Sequence, residues 1–182
     1  MTALRSLLAF AIALALLSGC VWYESGVSGG GDGVEARRRL DTAIATATPA
    51  STTAGIANRT WIQSLGSSGQ AVHYSTSDER DFLWMPESSR IIVGQWRVDT
   101  GPDVHGKPIT RLCLRYPGEA RGPLGAVVAG EWYCPPAGMM LDRMTDSRAG
   151  DLLGLATRTQ APFARGYERA TIAQLLARLP RS

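Results

Sequence analysis

Apolar and polar residues fall into three textures along this chain. From Thr60 onward, Trp61, Val72, Tyr74, Phe82, Trp84, Ile91, Ile92, Val93 and Trp96 come in short bursts separated by Gly, Ser, Pro and Asp. That is the strand-and-turn rhythm of an antiparallel sheet. Over Thr110–Tyr116, Leu112, Leu114 and Tyr116 alternate with Arg111, Cys113 and Arg115; over Ala71–Thr76, Val72 and Tyr74 alternate with His73 and Ser75. A period of two implies one packed face and one solvated face. Strands are expected over 59–65, 71–76, 80–85, 90–98, 110–117 and 129–134, with GPDVHGKP at 101–108 as a long turn. Six strands without helical crossovers imply a mainly β (α+β) fold, a small antiparallel meander closed as a barrel-like or strongly bent sheet.

The end of the chain changes period. Ile172, Leu175, Leu176 and Leu179 lie at i, i+3, i+4 and i+7, one face of a helix over 171–179. Thr171 and Gln174 supply a capping box, and Pro180 a stop.

The beginning has neither period. Arg5 precedes an unbroken apolar run, Leu7–Leu17, and then Leu17-Ser18-Gly19-Cys20. A charge followed by a short apolar stretch is the layout of a secretory signal. The run is shorter than the roughly 20 residues needed to span a bilayer. The four residues ending at Cys20 resemble the lipobox of bacterial lipoproteins. The resemblance implies a signal peptide over 1–19, cleavage before Cys20, and acyl chains on Cys20. Two or more chains give stable anchoring. Val21 stands where an Asp would imply inner-membrane retention, so the resemblance favours the periplasmic face of the outer membrane. Ser25–Gly33 is a Gly/Ser coil. Asp32 and Glu35 have capping-box spacing, and Leu40, Ala43, Ile44 and Ala47 repeat helically, so a short helix is expected at 33–47. Pro49 should end it, with TPASTTAG as loop. Residues 20–54 thus read as a lipidated spacer, and 55–182 as one domain.

Composition narrows the function. The net charge of +3, or +2 after loss of Arg5, is too weak to argue for nucleic acid. Cys113 and Cys134 remain as an even pair, expected to form a disulfide in an oxidising compartment, with two free thiols or a metal pair as the alternative. No C-x-x-C supports a redox role.

Candidate chemistry is sparse. Gly26-Val27-Ser28-Gly29-Gly30 matches G-x-S-x-G but lies in the Gly/Ser coil, without the strand a nucleophile elbow needs. His73 and His105, the only two histidines, fall on a polar strand face and in a turn. A zinc site would want three or four ligands, so no metal or cofactor is expected. Asp78, Glu79, Asp81, Asp142 and Asp146 are the carboxylates that a glycosidase-type pair would draw on. Phe82, Trp84, Trp96 and Trp132 are candidate binding aromatics; Arg90, Arg97, Arg111 and Arg115 on polar faces are candidates for peptidoglycan carboxylates or lipid phosphates. From Thr60 to Ala164 the chain resembles small secreted bacterial domains of uncharacterised role, through Gly94-Gln95-Trp96 and the two spaced cysteines. The leading expectation is a non-catalytic envelope protein binding a ligand or partner, membrane-held through Cys20. An enzyme acting on envelope material, or a structural component of an envelope complex, are the alternatives.

Overall fold

The computed structural model of the chain describes residues 32–117 and 130–180. The signal-like run, the lipobox with Cys20 and the G-x-S-x-G match lie outside the described residues. Contacts divide the chain at Val34/Glu35, and the sheet and its covering layers belong to the unit from Glu35 onward.

Six antiparallel strands form one curled sheet: β1 (Arg59–Ser64), β2 (Gln70–Ser75), β3 (Arg80–Trp84), β4 (Ile92–Pro102), β5 (Pro108–Arg115) and β6 (Met144–Ala149), in the order β5-β4-β3-β2-β1-β6. The first five are a meander, and β6 returns to pair with β1. This is the expected mainly β fold. Each turn has its own chemistry. At the β4–β5 turn, Asp103 accepts from the backbone N–H groups of Lys107 and His105, which hold its carboxyl below the usual range.

Helix α1 (Asp32–Thr46) occupies the expected position. Residues 49–54, expected as loop, instead belong to a second helix, α2 (Pro49–Ile56). Thr48 caps it reciprocally with Ser51, and Pro49 sits in the first turn, where its missing N–H costs nothing. The Pro is a helix start. The expected spacer therefore overlaps the compact unit, which begins at Glu35. A third helix, α3 (Ala137–Asp142), has no counterpart in the sequence pattern. Its Gly138 meets α1 so closely that a Cβ would stand 2.2 Å from the Ala43 carbonyl. Helix α4 (Ile172–Ala177) has the expected Thr171/Gln174 box, and Asp146 of β6 accepts from Ile172 N at 2.7 Å. None of the helices among the described residues is long and apolar enough to cross a membrane.

The alternation correctly marks which residues share a face, but both faces of β1–β3 are packed. The inner face carries Trp61, Ala71, Leu83, Trp96, Leu112, Leu114 and Tyr116, packed with Ile56, Ala137 and Met140 of the helices. The outer face of β1–β3 carries Ile62, Val72, Phe82 and Trp84 under Leu153, Leu155, Ile172 and Leu175. Buried Arg165 fastens this cover by donating to the carbonyls of Gln70 and Trp84 across the Trp84 ring, and desolvation lowers its pKa to about 10.

Of the strand expected over 129–134, residue 129 lies outside the described residues, and 130–134 do not form a continuous strand. Tyr133 and Pro136 make isolated antiparallel bridges to Leu114 and Arg111 of β5. Pro135 cannot donate and only accepts from Leu112 N. Tyr133 and Leu114 exchange both hydrogen bonds, so Cys134 and Cys113 fall at the adjacent non-hydrogen-bonded pair. That is the closest-approach position of an antiparallel ladder. Their Cα atoms are 4.0 Å apart and the sulfurs are joined.

Candidate binding face

Two clusters of functional side chains emerge, and the sheet separates them. The first is buried on the inner face. Asp81 accepts from Ser75 Oγ at 2.6 Å, Tyr116 OH at 2.5 Å and His73 Nδ1 at 2.9 Å. Trp61 Nε1 donates to Ser75 Oγ at 2.8 Å, and the Trp61 and His73 rings stack 3.8 Å apart. The register assembles this network. Ser75 and Asp81 are directly opposite, as are Trp61 and His73, while Gly94, opposite Asp81, leaves room for the Tyr116 ring. Burial, followed by the charge of Asp81 and the bond to it, pushes the Tyr116 hydroxyl well above its usual pKa.

The expectation that His73 lies on a solvated face is therefore corrected. It is 2 % exposed, because Ile56 of α2, Ala137 and Met140 of α3, and Tyr116 pack over the face it was assigned to. Ser, His and Asp are all present, but Ser75 gives its proton to Asp81 rather than to His73. His73 Nε2 has no partner and faces no open surface. A triad needs the base within hydrogen-bond reach of the nucleophile. This set instead satisfies a buried carboxylate three times over, which rigidifies the core.

The other carboxylates are dispersed. Asp78 pairs with Arg80 at a turn, Asp142 with Arg39, and Asp146 caps α4. No cluster of three or more His, Cys, Asp or Glu among the described residues is placed to hold a metal.

The second cluster is half-exposed. The outer face changes character between β3 and β4. On β1–β3 it is apolar and covered; on β4–β5 it presents Val93, Gln95, Arg97, Arg111 and Arg115. Trp132, two residues before the disulfide, has two guanidiniums over its ring, Arg97 at 4.3 Å and Arg115 at 4.8 Å. Arg80 at the seam lies 5.7 Å over Phe82. Stacking uses the faces of a guanidinium and leaves its in-plane N–H donors for other partners. Asp99, 3.4 Å from Arg97, and neighbouring Glu131 partly offset the charge.

Of the four expected binding aromatics, only Trp132 belongs to this surface. Phe82, Trp84 and Trp96 are buried and are corrected from a binding strip to core. Of the four expected arginines, Arg97 and Arg115 meet at Trp132; Arg111 lies further along β5 and donates to the Pro102 carbonyl, and Arg90 sits apart, in the loop bridged to Gln160. The residue that sequence reasoning misses is Arg80. Its signal is present in the chain: it lies two residues before Phe82 and so shares that face. No family model, curated protein or solved structure matches the chain.

Proposed function

We propose that this chain is a lipid-anchored envelope protein facing the periplasm, and that its domain binds an anionic ligand or partner without transforming it. The anchor is read from Leu17-Ser18-Gly19-Cys20, and the outer membrane is favoured because Val21 follows. The binding reading is carried by Arg97 and Arg115, whose guanidiniums both lie over the Trp132 ring on the outer face of β4–β5. Guanidiniums held by stacking lose little freedom when they meet a carboxylate or phosphate, so more of the contact energy survives as affinity. The Ser75, His73 and Asp81 set lies on the opposite face, bonded into one buried network.

The test is done in intact cells making the full-length chain. A fatty-acid probe should label the wild type and not Cys20→Ala. Crosslinking should trap an envelope species that Arg97→Glu/Arg115→Glu, still folded, loses. An unlabelled wild type overturns the anchor, and crosslinking indifferent to charge reversal overturns the binding face.

A further inference from the structure

We infer that the cross-strand row Arg80–Gln95–Arg115 is a subsite for the free carboxylate of a short peptide with small apolar side chains; this rests on the binding face proposed above. Arg80 is opposite Gln95 on β4, and Gln95 is opposite Arg115 on β5. All three project from the outer face. With strands about 4.8 Å apart, the two arginine stems stand about 10 Å apart with an amide between them. A groove of about 500 Å³ runs along this row, floored by Val93, which is 48 % exposed, and by the backbone of Gly94, with Pro117 at one end. Among the described residues, no acidic side chain lines it.

The donors point to the chemistry. Arg80 gives Nε–H to Asp78, and Arg115 gives one Nη to Gln95 Oε1. Each guanidinium has five N–H donors, so most of each fork is uncommitted by these bonds. Gln95, having accepted through its oxygen, offers its amide N–H₂. A carboxylate above Gln95 can take one donor from each of the three residues. Arg matches a planar carboxylate bidentately. Both cations already lie over aromatic rings, Arg80 over Phe82 and Arg115 over Trp132. The groove walls are mostly apolar aliphatic and backbone groups, which suit small side chains such as Ala beside the charged terminus. A bare phosphate would leave Val93 and Pro117 uncovered, so the peptide acid fits better.

The experiment uses the full-length chain in detergent and two probes, acetyl-Ala-Ala-Ala with a free carboxylate and the same peptide as its C-terminal amide. Titration calorimetry should find the acid bound at least about tenfold more tightly than the amide. Arg80→Gln and Arg115→Gln should each weaken the acid by about tenfold or more. Arg148→Gln, on β6 at the far edge of the sheet, should change nothing. Should Arg115→Gln disturb the fold through Trp132, Gln95→Glu serves instead. It adds a repelling charge at the centre of the row, on an exposed side chain, and should abolish acid binding with the melting curve unchanged. Equal binding of acid and amide, or binding of inorganic phosphate in place of the peptide, overturns the carboxylate subsite. If crosslinking in cells still depends on Arg97 and Arg115, the binding face stands without it. If neither assay responds, both fall.

Discussion

The Tyr116 hydroxyl is the sharpest probe of how the inner face is held. Tyr116→Phe removes one oxygen and leaves the ring against Gly94, so no cavity opens. What is lost is the 2.5 Å bond to Asp81, a hydrogen bond to a charged acceptor in a site only 1 % exposed. Such bonds contribute about 1.5–3 kcal/mol. Asp81 keeps Ser75 and His73, so the loss should fall in that range rather than reach the roughly 3–5 kcal/mol of a fully orphaned buried charge. For a domain of this size, that corresponds to a fall in Tm of about 3–12 °C. The pH dependence tests the cause. Tyr116 titrates well above 10.0 when folded, while an unfolded Tyr titrates near that value. Above pH 10 the unfolded state loses this proton first, so the folded state binds more protons and stability falls as pH rises. The wild-type advantage over Tyr116→Phe should therefore be constant below about pH 9 and shrink above pH 10. Tyr74 and Tyr133 are also raised, but they are common to both proteins and cancel in the difference. Urea melts of the two proteins at pH 7, 9 and 10.5 decide the matter. A difference below about 0.5 kcal/mol at pH 7, or one that grows with alkalinity, would refute the network as described.

The disulfide closes a loop of 21 residues and should contribute about 3 kcal/mol. Cys113→Ser, Cys134→Ser and the double variant should therefore lose nearly the same stability by urea melt, and a double much worse than either single would refute a shared bond. Gly138→Ala should cost about 3 kcal/mol or more, since its Cβ would meet the Ala43 backbone at 2.2 Å; an unshifted urea midpoint would show that α1 does not dock there. Glu79 sits at φ 66° in the β2–β3 turn, with its carbonyl accepting from Trp96 N. Glu79→Gly should raise stability by about 0.5–1 kcal/mol by relieving that backbone strain; a lower melting temperature would mean that the side chain holds the turn.

The legible part of the fold is the part with a strong period. Strands β1, β2, β3 and β5 fall within two residues of the expected ends, because Trp61/Ile62, Val72/Ala71 and Leu112/Leu114 each mark a face. Strand β6 is invisible in the pattern for a physical reason. Met144–Ala149 reads MTDSRA, an edge strand whose side chains stay partly wet, so no apolar period is written into it. Helix α3 is only six residues long, too short to show a helical stripe. Helix α2 reads as loop because a proline in a first turn and a proline that ends a helix are the same letter, and only the Thr48/Ser51 reciprocity separates them. Among site residues, Arg97, Arg111 and Arg115 are placed on the right face by alternation alone. The burial of His73 is not readable in that way, since the layers that cover it come from residues 49–56 and 137–142, far away in sequence.

The same sheet face does opposite work on either side of the β3–β4 seam, and the side chains show how. Phe82 and Trp84 continue the apolar row from Ile62 and Val72, and the chain after β6 returns to cover them. One strand over, the row becomes Val93, Gln95 and Arg97. There, among the described residues, the segment before α3 is held by backbone bonds to β5, by the disulfide and by the Trp132 ring under two arginines. A surface meant only to be hidden would carry aliphatic residues where Gln95 and Arg115 stand, since burial of a Leu side chain contributes about 2 kcal/mol and an exposed guanidinium contributes little to folding. Arg97 and Arg115 each lie over the Trp132 ring and hydrogen-bond a neighbour, Asp99 and Gln95. On the proposed binding reading, these contacts hold the remaining N–H donors of both forks in place for an anionic partner.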